Sequence, residues 1–361
     1  MNKLLAPCFL AGLLGSLMDP QPSRAASAAA DIHQVQPADY VVGSWQLYRS
    51  IYMSADGRII DRENGSISHS EGQGYGMLIA VAAGDRQSFD TLWNWTEREL
   101  LVRDDSLAAW KWDPAANPHV PDMNNATDGD LLIAWALLRA WKVWGVKDHL
   151  REARDIVEDV VRLTIADSRY GKVLLPGVEG FTSENSGDGP VVNMSYWVFP
   201  AIAELEQSMP ELKALDLRSS GMKLLHAIKA TPEGIPSDWT GLAGEAPRPA
   251  EAFPPTFGYN AVRIPLYIAW ETSDEPALLR SLQRPWTTSE SGLAVLDVTA
   301  DTPVEPMVSP GYDAINDVVS CSLGDAEPVD RAKAFEPSTY YSSTLHILSL
   351  MALSERYAKC F

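Results

Sequence analysis

Cysteine and basic side chains are scarce in this chain. It has 3 cysteines, and 29 lysines and arginines against 48 aspartates and glutamates, for a formal net charge of −19. So few cysteines exclude a disulfide-dense scaffold, and no cysteine–histidine cluster has the spacing of a zinc site. Whether Cys321 and Cys360 pair stays open. The acidic surface repels nucleic acid and anionic membranes but not a neutral polymer, so we expect no nucleic-acid partner.

Apart from the segments that are predicted to be helices of the fold, a long apolar run occurs only at the N-terminus. Lys3 precedes an apolar run over residues 4–18, and small residues follow at 25–30. This pattern predicts a secretory signal peptide over residues 1–30, because the run is too short and too interrupted for a transmembrane anchor. We therefore expect a secreted or periplasmic protein with no stable membrane insertion after cleavage, and a single domain over residues 31–361.

Two kinds of apolar pattern alternate along the rest of the chain. Residues 131–138 have no polar face, which predicts a helix buried on every side. Residues 150–161 carry apolar side chains on one stripe and charged ones opposite, which predicts an outer helix. The pairing recurs, and it predicts an all-α protein of about ten to twelve helices in inner and outer positions.

The connections between these helices are long and rich in proline, glycine and aspartate. Stacked helical hairpins form either an open solenoid or a closed toroid, and irregular working loops favour the toroid. Residues 235–256 and 297–333 lack helical periodicity, so we expect short strands or loops there, on one face of the molecule.

Glu71 stands among three glycines where a predicted helix begins. Ser68 and Glu71 fit a capping box, in which the glutamate only closes the helix start. Gly72, Gly74 and Gly76 argue against that reading, since glycine is a poor helix former and would let a chain-like ligand approach the backbone. If Glu71 is instead a general acid, burial or a neighbouring carboxylate must outweigh the helix N-terminus, which favours its ionised form.

A second pair of acids, Asp128 and Asp130, opens the apolar segment that follows. Thr127 is a candidate N-cap and acids are common in a first helical turn, so a purely structural role for Asp130 stays open. The string from Asn124 to Asp130 does not fit a calcium loop, because an alanine interrupts the oxygen ligands and no glutamate closes it. Two carboxylate-bearing helix starts favour acid–base chemistry on a sugar polymer.

Aromatic side chains accompany these acids. Most tryptophans belong to protein cores, but Trp110 and Trp112 lie in a polar, proline-bearing loop shortly before the second acid motif. Flat apolar rings in a cleft suit the faces of pyranose sugars.

Both acid motifs resemble the signatures of glycoside hydrolase family 8. The matching stretches are 70–77, 126–140 with Trp144, 257–265 and 340–342, and the resemblance runs from about Val41 to Leu353. It is strongest to the exported endoglucanases that accompany bacterial cellulose synthesis. It implies an (α/α)6 toroid, a cleft for a β-1,4-linked glucan, hydrolysis with inversion, no cofactor or metal, and a functional association with a cellulose synthase system. We also expect a monomer.

The same resemblance assigns roles to individual residues. Glu71 is similar to the general acid, Asp128 occupies the position of a second catalytic acid, and Arg263 and Tyr259 would line the cleft near the scissile bond. Independently of these roles, Asp130 is a possible base or supporting acid. The residues that we expect to contact substrate are Tyr75, Trp112, Asn125, Tyr196, Tyr259 and Arg263.

Asn260 departs from the pattern, because many relatives carry at this position the aspartate that activates water. A neutral amide cannot take up that proton. The replacements considered are Asp128 first, then Asp130, Asp313 and an acid from the loop that holds Glu245 and Glu251. Three other readings stay open: a hydrolase of xylan, chitosan or mixed-linkage glucan, a glycan-binding protein that has lost turnover, and a polysaccharide lyase.

Overall fold

The computed structural model describes residues 39–272, 274–289, 292–325 and 334–360. The predicted signal peptide at residues 1–30 lies outside these ranges. The helices are α1 (Asp39–Tyr52), α2 (Ser70–Ala82), α3 (Arg86–Glu99), α4 (Thr127–Trp144), α5 (Lys147–Leu163), α6 (Phe199–Leu205), α7 (Pro210–Lys213), α8 (Leu217–Lys229), α9 (Arg263–Glu271), α10 (Pro276–Leu282), α11 (Arg284–Thr287), α12 (Pro310–Ser322) and α13 (Tyr340–Arg356).

Six of these helices form an inner ring, in the order α2, α4, α6, α9, α12 and α13. Each packs against the next, and α13 packs against α2, which closes the ring. Helices α3, α5, α8 and α10 pack outside α2, α4, α6 and α9, while α1 packs on α13 and α2. The predicted all-α, (α/α)6 toroid is confirmed.

Helices α4 and α5 show why the chain sorts into two layers. Every residue of α4 from Thr127 to Leu138 is buried, as its lack of a polar face predicts. The next helix, α5, buries only the stripe that contains Ala153, Ile156 and Val160 and exposes its charged face. Gly145 ends α4 in the left-handed conformation, with φ at 71°, and so turns the chain outward.

The glycines of α2 allow close packing of helices. A Cβ atom on Gly74 would lie 2.6 Å from Cβ of Leu132 on α4, and one on Gly76 would lie 2.8 Å from Ile59. The expectation that these glycines make room for a ligand is therefore wrong, because protein atoms already occupy the space.

In the part of the chain that the structure describes, ten short strands lie in the connections between helices. They are β1 (Ser68–His69), β2 (Lys111–Trp112), β3 (Ile165–Ser168), β4 (Gly171–Leu174), β5 (Val191–Val192), β6 (Thr240–Gly241), β7 (Arg248–Pro249), β8 (Thr256–Phe257), β9 (Ala294–Asp297) and β10 (Thr302–Pro306). They pair antiparallel as β1–β2, β3–β4, β5–β6–β7 and β8–β9–β10.

The expectation for residues 297–333 is only partly right. Strand β10 lies there, but so does the inner helix α12. This helix buries Tyr312, Ile315, Val318 and Val319 on a helical stripe. Polar residues between them, among them the buried Asp317, hide that stripe in the sequence.

The C-terminal ends of the last two inner helices are linked covalently. Cys321 near the end of α12 forms a disulfide with Cys360, which follows α13. The pairing that the sequence left open is therefore present. Among the described helices, none combines the length and apolar character needed to cross a bilayer.

Candidate active site

One large cavity, with a volume of about 840 Å³, lies where the N-terminal ends of the inner helices meet. Each inner helix contributes a residue at or just before its first turn. These residues are Glu71, Asp128, Tyr196, Arg263, Tyr312 and Tyr340. The positive ends of the six helix dipoles therefore surround the cavity, which favours negative charge inside it.

Glu71 lies in the first turn of α2 and points into the cavity. The N-cap of α2 is His69, whose Nδ1 accepts a hydrogen bond of 3.1 Å from the backbone N–H of Gly72. The capping box expected from Ser68 and Glu71 is therefore not formed. Because His69 closes the helix start, the Glu71 carboxylate is free to bind other partners.

Arg263 joins the two acid motifs. Its guanidinium Nη1 donates to Oε2 of Glu71, to Oδ2 of Asp128 at 2.9 Å and to the hydroxyl of Tyr75 at 3.1 Å. The Arg263 side chain is 1% exposed, so a buried cation holds both carboxylates. Two carboxylates on one nitrogen lie too close to form an inverting pair, which needs about 6.5–9.5 Å between carboxyl groups.

The pKa values of the two carboxyl groups in this pair are shifted in opposite directions. Burial and the neighbouring Glu71 carboxylate raise the pKa of Asp128 well above its ordinary value, although Arg263 opposes them. Burial also acts to raise the pKa of Glu71, but Arg263 and His69 outweigh it and hold that pKa below its ordinary value. A hydrogen bond between the two side chains couples them, so Asp128 stores the proton next to Glu71.

Aromatic rings line much of the remaining wall. The described aromatic residues of the cavity other than histidine are Trp110, Tyr196, Tyr259, Tyr312, Tyr340 and Tyr341. Ser70 and Tyr340 also line it, but their hydroxyls are buried in the protein and have no hydrogen-bond partner among the described residues. Aromatic rings beside the acid pair suit a ligand with flat apolar faces, such as a sugar chain.

The profile of the glycosyl hydrolases family 8 matches residues 18–355 of the chain. The chain belongs to this family. A probable endoglucanase from Novacetimonas hansenii is 35% identical over 326 residues, which are 89% of this chain and 93% of that protein. An endoglucanase from Cellulomonas uda is 36% identical over 291 residues, 74% of this chain and 80% of that protein.

Solved structures agree with this assignment, and one of them is described as a family 8 glycosyl hydrolase. The structure of the endo-beta-1,4-glucanase CMCax from Acetobacter xylinum has a TM-score of 0.77 and 34% identity, and the match covers 88% of this chain and 98% of that one. The endoglucanase Cel10 from Klebsiella pneumoniae gives the same TM-score and identity, over 87% and 99% of the two chains. The resemblance predicted from the motifs is confirmed, and the protein is a glycoside hydrolase.

Asn260, the departure from the family pattern, lies in the cavity wall and contacts Arg263. Its Oδ1 accepts a hydrogen bond of 2.9 Å from Nη2 of Arg263, and the same nitrogen donates to Ser195 at 2.8 Å. Asp238 supports this turn, since its Oδ1 accepts from the backbone N–H groups of Gly258 at 3.0 Å and Ala261 at 2.7 Å. Asn260 thus orients Arg263 but brings no carboxylate.

Asp130 and Asn125 do not line this cavity. Asp130 is buried, and its two oxygens accept hydrogen bonds of 2.8 Å from the backbone of Ala108 and from Asn125. Burial raises the pKa of Asp130 to about 7. The side-chain carbonyl of Asn125 in turn accepts from the backbone N–H of Val178. Asp130, the predicted supporting acid, and Asn125, a predicted substrate ligand, therefore both hold loops together.

Tyr75 and Trp112 also differ from their predicted substrate contact. Tyr75 is fully buried beneath Arg263 and hydrogen-bonds the Tyr267 hydroxyl at 2.6 Å. The Trp112 ring packs on His119 with centroids 4.5 Å apart, and it is not among the described residues that line the cavity. Trp110, two residues earlier and just before strand β2, does line the cavity.

The other candidate bases lie elsewhere. Asp313 lines a separate cavity of about 430 Å³. Glu251 forms an ion pair with Arg248 at 3.1 Å, and neither it nor Glu245 is among the described residues that line the large cavity.

Sequence reasoning missed several residues of the wall. Asp61 and Glu63 line the cavity, and Asp61 lies 3.7 Å from the His69 ring. Tyr312 faces Tyr259, with ring centroids 6.4 Å apart. Asp61 and Glu63 belong to a polar turn, and Tyr312 belongs to α12, whose apolar stripe is interrupted by polar residues. Only the composition of those two segments could have indicated these residues.

Proposed function

We propose that the protein is an endo-β-1,4-glucanase that hydrolyses cellulose-like chains with inversion. The observation that carries this proposal is the pair of carboxylates, Glu71 and Asp128, held on Arg263 at the wall of a cavity lined by aromatic rings. The endoglucanase names of its relatives support the substrate class.

Glu71 is the proton donor in this proposal. It is 17% exposed and lines the cavity, whereas Asp128 is 1% exposed behind it. When a glycosidic oxygen replaces solvent at Glu71, the proton of Asp128 moves to Glu71 and from there to the leaving oxygen. Arg263 then balances the negative charge that remains on the pair. Water attacks the opposite face of the sugar, which inverts the anomeric carbon.

The test of turnover compares the wild type with Glu71→Gln on carboxymethyl cellulose. We expect the wild type to release reducing ends and Glu71→Gln to lose about 10²–10⁴-fold in kcat, the usual contribution of general acid catalysis. Glu152→Gln on the outer helix α5 is the matched control and should keep full activity. Binding without release by all three proteins would instead indicate a glycan-binding protein.

The role of Glu71 as acid is tested by the leaving group. An aryl cellotrioside with a dinitrophenolate leaving group needs little protonation, so Glu71→Gln should cleave it at a rate close to the wild type. NMR of the first product should show the α anomer. A β anomer would overturn inversion, and unsaturated products that absorb in the ultraviolet would indicate a lyase.

The cellular setting is part of the proposal. We propose that the chain is exported through the signal peptide at residues 1–30 and acts as a monomer beside a cellulose synthase system. Fractionation of expressing cells and light scattering of the purified protein test the first two points. Cellulose yield with and without the gene tests the third.

A further inference from the structure

The water-activating base is missing from the site described above. Asn260 cannot accept a proton, and Asp128 is hydrogen-bonded to the same guanidinium nitrogen as Glu71. An inverting hydrolase needs a second carboxylate across the sugar from the acid. The base must therefore reach the cavity from the side opposite Glu71.

The ring order defines that side. In the sequence α2, α4, α6, α9, α12 and α13, helix α9 lies across from α2, and α12 lies across from α4. Glu71 and Asp128 begin α2 and α4. The opposite wall is thus formed by the turn 258–261, which leads into α9, and by the β9–β10 hairpin, which leads into α12.

Two carboxylates contact the turn on that wall, and they differ in the groups that they bind. Asp238 binds the backbone N–H groups of Gly258 and Ala261 and is not among the described residues that line the cavity. Its Oδ2 also lies 2.7 Å from where a Cβ atom on Gly258 would stand. The Asp238 carboxylate is therefore bound to the backbone of the turn.

Glu305, on the exposed strand β10, contacts the turn through the side chain of Tyr259, which lines the cavity, while Glu305 itself is not among the described residues that line it. Its Oε1 accepts a hydrogen bond of 2.9 Å from the Tyr259 hydroxyl. Pro306, the next residue, lines the cavity, as do Tyr259 and Tyr312. The Glu305 charge also contributes to the raised pKa of Tyr312, after burial and Tyr259, which places the carboxylate near both rings.

We propose that Glu305 is the general base, an assignment that rests on the proposed inverting hydrolysis. The Glu305 carboxylate takes one proton from a water molecule while the water oxygen bonds to the anomeric carbon. The bond from that carbon to the leaving oxygen breaks, its electron pair stays on the leaving oxygen, and that oxygen takes the proton of Glu71. The Tyr259 hydroxyl orients the Glu305 carboxylate over the bound sugar.

The first test measures turnover of cellohexaose by Glu305→Gln and Glu305→Ala. We expect kcat to fall about 10²–10⁴-fold with KM nearly unchanged, because the base acts in the chemical step. Asp301→Asn is the matched control, since Asp301 is an exposed acid of the same hairpin with φ at 54°, a conformation that asparagine tolerates. Full kcat in both Glu305 variants would overturn the proposal.

The second test is chemical rescue. Azide is a nucleophile that needs no base, and it fits where the Glu305 side chain has been removed. Glu305→Ala with added azide should regain turnover and form the α-glycosyl azide, while Asp301→Asn and Asp238→Asn should form none. A Glu305→Ala protein that binds cellohexaose but forms no azide product would also overturn the assignment.

These outcomes are separate from the fate of the proposed function. If the wild type releases no reducing ends from any β-1,4-glucan, the hydrolase proposal itself fails before any Glu305 variant is made. If the wild type is active and inverting but Glu305→Ala shows neither loss nor rescue, only the base assignment fails.

Discussion

A single buried cation sets the protonation of the acid pair. Arg263 contacts both Glu71 and Asp128, yet the pKa of Glu71 lies below its ordinary value and that of Asp128 well above its own. The asymmetry arises because the Arg263 charge prevails over burial at Glu71, whereas Asp128 is deeper and faces the Glu71 charge. Asp128 therefore keeps a proton available to Glu71 at pH values where an isolated Glu71 would have lost it.

Asp128→Asn should consequently move the alkaline limb of the pH profile of kcat/KM to lower pH. A group holds its proton below its pKa, so the wild-type pair stays protonated until pH rises through the raised pKa of Asp128. In the variant only Glu71 titrates, and Arg263 and His69 keep its pKa low. Activity near neutral pH should fall about 10²-fold or more, and less with a dinitrophenolate leaving group. An unshifted alkaline limb would contradict this role.

Among single residues, the sequence was informative where a motif supplied the chemistry. Glu71, Asp128 and Arg263 come together as the resemblance implied. Trp112 and Asn125 do not reach the cavity, because loop conformation decides which way a side chain points and local composition does not encode it. Glu305 was missed for the same reason, since only the β9–β10 hairpin brings it to Tyr259.

At the scale of elements, the pattern of apolar residues along the chain was the dependable signal. It predicted the inner helix α4 and the outer helix α5 correctly. The signal failed for α12, where acids and serines interrupt the apolar stripe. The glycines of α2 were misread, because a sequence shows that space is required but not whether a ligand or a neighbouring helix fills it.

Gly74→Ala tests the packing of α2 on α4. Alanine gains about 1 kcal/mol of helix propensity, but its Cβ would lie 2.6 Å from Leu132, and overpacking costs about 1–3 kcal/mol. We expect a net loss in the free energy of unfolding, measured by urea titration. Gly43→Ala on α1 is the control, because nothing lies within 4 Å of its Cβ position, and it should gain about 0.5–1 kcal/mol. Equal gains in both variants would refute close packing at Gly74.

At the scale of the whole molecule, the net charge of −19 should make activity on charged substrates depend on ionic strength. A polyanionic substrate is repelled by the protein, and by Asp61 and Glu63 at the cavity itself. The Debye length shortens from about 30 Å at 0.01 M salt to about 10 Å at 0.1 M. Over this range kcat/KM for carboxymethyl cellulose should rise severalfold, whereas kcat/KM for a neutral soluble β-glucan should stay constant. A salt response shared by both substrates would exclude charge repulsion as its cause.

We expect the disulfide to contribute to the stability of the fold and not to catalysis. The cavity lies at the N-terminal ends of the inner helices, and the bond between Cys321 and Cys360 lies at the C-terminal ends of α12 and α13. It closes a loop with a sequence separation of 39 residues, for which chain entropy predicts about 4 kcal/mol of stabilisation. Replacing both cysteines with serine should therefore lower the thermal midpoint while kcat at 25 °C stays unchanged. The wild type in reducing agent should behave like the double variant. A loss of kcat without a loss of stability would show that the disulfide acts on the active site instead.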